Sequence, residues 1–189
     1  MKLKSLKFKS VKSTNDIAHM LIKKKKVRPT IILSEKQTKG RGTMGKKWIS
    51  KKGNLFLTIF FEINKKKIDF KKFAILNAYL LRRILIKKFS NKIKIKWPND
   101  LLFEKKKICG ILQETVFNAG KKFLIIGIGI NTNLDPKNTS FSSTSLKQIT
   151  NKNIDNKKLF TTIKKNYEKF LFKANQNSFS KLKKFTQKI

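Results

Sequence analysis

The sequence holds one cysteine, Cys109, and one histidine, His19. A lone thiol excludes an internal disulfide and any cysteine-based metal cluster. No apolar run approaches the roughly 20 residues that a helical bilayer crossing needs; the longest, Leu55–Phe61 and Phe123–Ile130, fall far short. The N-terminal residues 1–13 lack the apolar stretch of a secretory signal. Neither an internal repeat nor a Gly/Ser-rich linker interrupts the chain. These absences point to a single domain over residues 1–189 and a cytoplasmic location. Arginine is also scarce: only Arg28, Arg41, Arg82 and Arg83 stand among the 47 basic residues.

What is abundant is lysine, which sets a formal net charge of +37 against only 10 acidic residues. Such a charge suggests nucleic acid, since phosphate neutralisation dominates that affinity. Arginine, however, is the better residue for bidentate phosphate and guanine contacts. The lysines are also spread over the whole chain in runs such as Lys23–Lys26, Lys65–Lys67 and Lys105–Lys107. Lys, Ile, Asn and Phe share A/T-rich codons, so base composition accounts for the excess better than a selected nucleic-acid surface. At 39% apolar residues in 189, the chain has enough to bury a full core.

Periodicity predicts a helix opening at Ser13–Asp16, where Ser13 and Asp16 resemble a capping box and Ile17, Met20 and Leu21 follow at helical spacing. Pro29–Ser34 and Leu55–Ile63 read as strands, the second a central one. Gln37–Lys47, with three glycines, four cations and no apolar period, reads as a mobile loop. Phe70–Phe89 reads as a long helix and Ile93–Trp97 as a half-buried strand. Leu101–Phe103 and Ile108–Val116 read as strands joined by the basic turn Glu104–Lys107. Asn118–Lys121 is a hairpin turn into a strand over Phe123–Ile130, and helices follow at Asn156–Ala174 and Phe179–Lys188. Strands grouped centrally with helices around them imply an α+β fold with a largely antiparallel or mixed sheet.

Four constellations carry chemistry. Lys12-Ser-Thr-Asn-Asp16 taken alone is a helix N-cap. Gln37–Trp48 contains Gly40-Arg41-Gly42-Thr43, where glycines let backbone N–H groups approach a ligand and the cations suit phosphate; it lacks the Gly-Lys-Ser/Thr of a Walker loop. Lys96-Trp97-Pro98-Asn99-Asp100 turns at a strand end, a common address for functional polar groups, and is followed by Lys107-Ile-Cys-Gly110-Ile-Leu112. Gly127-Ile-Gly129-Ile-Asn131 puts two glycines inside an apolar strand, which marks close approach of a ligand or another backbone.

In this order and spacing, residues 10 to 150 resemble the catalytic domain of biotin–protein ligases. The resemblance implies a class II aminoacyl-tRNA synthetase-like fold: a mixed sheet backed by helices. It implies formation of biotinoyl-AMP from biotin and ATP, and transfer to a lysine of the biotin carboxyl carrier protein of acetyl-CoA carboxylase. Ser13, Thr14, Asn15 and Gln37 would then bind biotin, and Gly40, Arg41, Gly42 and Thr43 would form the loop that closes over the intermediate. Lys107 would contact the biotin carboxylate and α-phosphate, and Gly110 would line the pocket. Lys96, Trp97, Asn99, Asp100, Gly127, Gly129 and Asn131 would border the nucleotide.

Adenylation brings a carboxylate against a triphosphate. It therefore needs fixed cations, for which Arg41 and Lys107 are the candidates, and Mg²⁺ held mainly by the ATP phosphates rather than by protein ligands. It needs no protein nucleophile, so Cys109 reads as a small strand residue and His19 as structural or solvated. About a dozen residues precede Ser13, too few for an N-terminal helix-turn-helix. About 58 follow Asn131, so a C-terminal SH3-like domain is expected to be absent. Thr43 stands where many family members carry a second arginine. A lipoate–protein ligase is the nearest alternative, and a basic nucleic-acid-binding protein the alternative from another class; membrane and sequence-specific nucleic-acid partners are not expected.

Overall fold

A computed structural model describes residues 1–63, 70–136, 141–174, 176–177 and 179–187. Its strands are β1 (Lys4–Phe8), β2 (Thr30–Ser34), β3 (Leu55–Glu62), β4 (Ile93–Lys96), β5 (Asp100–Phe103), β6 (Lys106–Asn118) and β7 (Lys121–Ile130). Its helices are α1 (Thr14–Lys23), α2 (Phe70–Ile86), α3 (Leu146–Thr150), α4 (Asn156–Ala174) and α5 (Phe179–Gln187). The strands form one sheet in the order β1-β2-β3-β7-β6-β5-β4. β1 and β2 run parallel and the other neighbours antiparallel, the mixed sheet expected from the sequence.

Helices cover both faces. On one, Ala18 and Ile22 of α1 pack on Ile32, Phe60, Phe123 and Ile125. On the other, α2, α4 and α5 bury Leu81, Ile163, Phe170 and Leu182 against Leu57, Ile59, Leu124 and Ile126. Double coverage explains why residues 55–61, apolar apart from Thr58, show no alternation. The β6–β7 hairpin turns on Ala119 (φ 48°) and Gly120 (φ 72°), the positive pair that two-residue hairpins require.

Four local expectations are revised. β1 is an added edge strand: its lysines face outward, which hides the strand among basic residues and also protects the edge. α3 is likewise added, opened by a capping box between Ser145 and Gln148. Ser13 does occupy the N-cap of α1, but its hydroxyl makes no capping bond. The cap is tertiary instead: Thr14 N donates to Gln37 Oε1 at 2.7 Å, and Asp16 pairs with Arg41. α2 stops at Ile86, short of the expected Phe89, and Lys65–Lys67 and Lys188 lie outside the described residues.

Candidate active site

On the α1 face of β7, alternate residues run Phe123, Ile125, Gly127, Gly129. The first two lie beneath α1; at the glycines the side chains stop and a pocket opens above the N-terminus of the helix. On the partner strand β6 the side chain is lost only at Gly110, which pairs with Gly129, while Leu112 pairs with Gly127. One end of the pocket is uncharged and buried. Thr58 Oγ1 lies 2.6 Å from Asn15 Oδ1 and 2.8 Å from Thr14 Oγ1. Gln37 Oε1 accepts from Thr14 Oγ1 at 3.0 Å, while its Nε2 donates to Ser50 Oγ at 2.9 Å. A Cβ at Gly127 would sit 2.5 Å from Asn15 Oδ1, so the carboxamide needs glycine beneath it.

In the middle lies Trp48. A Cβ at Gly129 would run into its indole, and one at Gly110 would come within 2.6 Å of Cζ3. The indole therefore rests flat on bare backbone, with Nε1 buried and without a hydrogen-bond partner among the described residues. With Trp48 so placed, the remaining cavity is about 40 Å³, well under the roughly 300 Å³ of a small-molecule site.

The far end is charged. Lys107 Nζ lies 2.7 Å from Asp100 Oδ1, both side chains under 20% exposed, and 5.2 Å from the centroid of the Trp48 ring. Regular alternation would turn Lys107 to the same side as Cys109, into the core. A register shift prevents this: Leu101 pairs with Cys109 but Leu102 with Lys107, leaving Ile108 extra. Ile108 and Cys109 consequently both enter the core, and the Lys107 side chain emerges beside Gly110, a side chain re-aimed by a bulge. Asn131 stands behind, donating to the carbonyls of Lys107 (3.4 Å) and Thr144 (3.2 Å). Asn99 Nδ2 donates to Ile111 O at 3.2 Å, after a cis Trp97–Pro98 bond. Cys109 is fully buried and burial drives its thiol pKa far up, so it offers no thiolate.

The guanidinium of Arg41 turns to the pocket's outer rim. It meets Glu114 through two bonds, 2.9 and 3.2 Å, and Asp16 through a third at 2.9 Å. Asn15 Nδ2 donates to the same Glu114 carboxylate at 2.6 Å, and His19 Nε2 lies 3.4 Å away, 30% exposed.

Of the residues selected from sequence, Ser13, Thr14, Asn15, Gln37, Arg41, Gly42, Thr43, Asn99, Asp100, Lys107, Gly110, Gly127 and Gly129 line this one pocket. Gly40 sits behind it, wedged under Trp48 O and Ser50 Oγ. Asn131 is a brace at its back. Lys96 and Trp97 lie outside; Trp97 is 48% exposed and meets Tyr79 edge-on at 5.4 Å. Trp48, Thr58 and Glu114 were missed. Trp48 stood in the glycine motif without a role, while Thr58 and Glu114 carry no local sequence signal.

Residues 7–131 match the biotin/lipoate A/B protein ligase family. Over 149 residues the chain is 32% identical to the bifunctional ligase/repressor BirA of Bacillus subtilis, covering 76% of this chain and 46% of that protein. Over 101 residues it is 34% identical to BirA of Escherichia coli, covering 52% and 32%. The chain thus spans a third to a half of these curated relatives. A solved biotin protein ligase from Aquifex aeolicus, in complex with biotin and ATP, superposes with a TM-score of 0.77 at 30% identity, covering 93% of this chain and 73% of that one.

Proposed function

The chain belongs to the biotin/lipoate A/B protein ligase family, and from that premise we propose that it is a biotin–protein ligase acting on the biotin carboxyl carrier protein of acetyl-CoA carboxylase. One observation carries this reading: the order of chemistry along β7. At Gly127 the pocket offers uncharged donors and acceptors, at Gly129 bare backbone covered by an indole, and beside Asn131 a lysine. Four residues of strand span about 13 Å. A ligand with a neutral polar head, a thin apolar body and a carboxylate tail meets all three in sequence, and biotin has that form.

In the proposed reaction a biotin carboxylate oxygen attacks the α-phosphorus of ATP and pyrophosphate leaves. The carrier lysine amine then attacks the acyl carbon and AMP leaves. Lys107, aimed by the bulge and steadied by Asp100, is the cation we assign to the meeting anions. Arg41 is engaged by two carboxylates, and we assign it to holding the loop. No group of three or more His, Cys, Asp or Glu side chains among the described residues is placed to hold a metal ion. Magnesium, which we propose would enter with the ATP phosphates, would supply neutralisation of charge on the pyrophosphate.

The test is ATP–pyrophosphate exchange driven by biotin or by lipoate, followed by intact-mass analysis of a carrier domain after incubation. Exchange and a biotinyl mass increase with biotin alone are expected. Exchange driven by lipoate instead would move the chain to the lipoate branch of the family.

A further inference from the structure

We infer that Glu114 is a positioning residue whose carboxylate tethers Arg41 and so holds the glycine loop, residues 40–48, over the pocket before any ligand arrives. The inference rests on the ligase reading for what the pocket holds; the tether itself rests on the contacts of Arg41 with Glu114 and Asp16.

The chain has only 10 acidic residues against 47 basic ones, yet two of the ten converge on this single arginine. Glu114 binds it in the two-pronged form that fixes a guanidinium most firmly. Glu114 is itself fixed from behind. Asn15 Nδ2 donates to it at 2.6 Å, and Asn15 Oδ1 is held 2.6 Å from Thr58 Oγ1 on β3. Glu114 is 21% exposed where Asp16 is 49% exposed, so Glu114 is the stronger arm, less screened by water.

At its C-terminal end the loop is anchored by Trp48, whose indole rests on Gly110 and Gly129; its glycine-rich tip has few other moorings to the body. Its stem is fixed, since Thr38 N and Lys39 N donate to the carbonyls of Val11 and Lys12 at 2.9 and 2.8 Å. Beyond that, Gly42 N bonds to Lys46 O and Trp48 N to Gly40 O, both inside the loop. On its outer side lies a groove of about 1190 Å³, which Asp16, His19 and Glu114 line together with Lys46 and Lys47. Lys46 and Lys47 form no ion pair among the described residues and repel one another. Among the described residues Arg41 makes the ion pairs between the loop's tip and the body, and Glu114 decides where it lands.

Hydrogen exchange of the ligand-free full chain tests this. In Glu114→Gln, whose amide oxygen still accepts from Asn15, the amides of residues 40–47 should exchange about fivefold faster, the scale of one such ion-pair network. In an Arg41→Met background the same substitution should add nothing. Unchanged loop exchange, or an equal acceleration without Arg41, overturns the tether, the latter by showing that Glu114 acts through Asn15. A measurement needing no Glu114 variant runs beside it: high salt should accelerate loop exchange in the wild type and not in Arg41→Met, and a salt-insensitive wild type overturns the inference. Because no ligand is present, failure of the ligase reading, seen as absent biotin-driven exchange, stays distinguishable from failure of the tether.

Discussion

Gly110 and Gly129 stand directly opposite one another in the β6–β7 pairing, and one indole, that of Trp48, lies against both. Neither position has room for a methyl group, because the strands fix the backbone on one side and the ring fills the other. The same ring fills the middle of the pocket, and a ligand of biotin's size is expected to displace it.

Gly129→Ala should therefore push the indole off the strand and weaken biotin binding at least tenfold. It should cost about 1–3 kcal/mol of stability, the usual scale for overpacking. Titration calorimetry and urea unfolding measure the two effects. Wild-type affinity in the alanine variant would show that the slot is not the ligand's path.

Ligand entry should also change the fluorescence of Trp48, whose Nε1 is buried and has no hydrogen-bond partner among the described residues. Trp97, half exposed against Tyr79, is the second emitter and is removed by Trp97→Phe. A biotin titration that leaves Trp48 emission unaltered in that background contradicts displacement.

Lys107→Ala should slow biotinoyl-AMP formation by about 10²–10³, the cost of removing one donor aimed at developing charge, with a much smaller change in biotin affinity. Single-turnover adenylation and equilibrium binding separate the two. Near-normal adenylation removes Lys107 from the role assigned to it.

Burial pushes the Glu114 carboxyl pKa up, but the Asn15 hydrogen bond and the Arg41 charge outweigh it, so the pKa lies below the ordinary value. A depressed carboxylate contributes its stability in full above its unfolded pKa and loses it as pH falls through the folded one. The stability difference between wild type and Glu114→Gln should hold steady from about pH 8 to about pH 5 and shrink below roughly pH 4. A difference that grows in acid has the wrong sign for this account.

The net charge of +37 should give only weak, sequence-independent DNA binding, with Kd of about 10⁻⁴–10⁻⁶ M at physiological salt. Competition between unrelated duplexes in a salt series checks it. Nanomolar, sequence-selective binding would restore a nucleic-acid function.

The sequence by itself determined most of the elements, β1 and α3 excepted, and the address of the site. The largely apolar β3, the helical period of α1, α2 and α4, and the turn at Ala119-Gly120 are local, because hydrophobic spacing and positive φ are properties of neighbouring residues. The glycines of β7 were legible for the same reason: a strand that loses its side chains announces a close approach. Tertiary structure decided what those residues meet. Ser13 looks like a helix cap, yet the cap comes from Gln37, a residue 23 positions after Thr14. Glu114 looks like one more strand position, and only the packing of α1 and the glycine loop against β6 makes it the partner of Arg41 and Asn15. Lys107 would alternate into the core with Cys109 were it not for one extra residue in β6. That bulge exists only in the pairing with β5, and pairing register is a relation between strands that no single segment encodes.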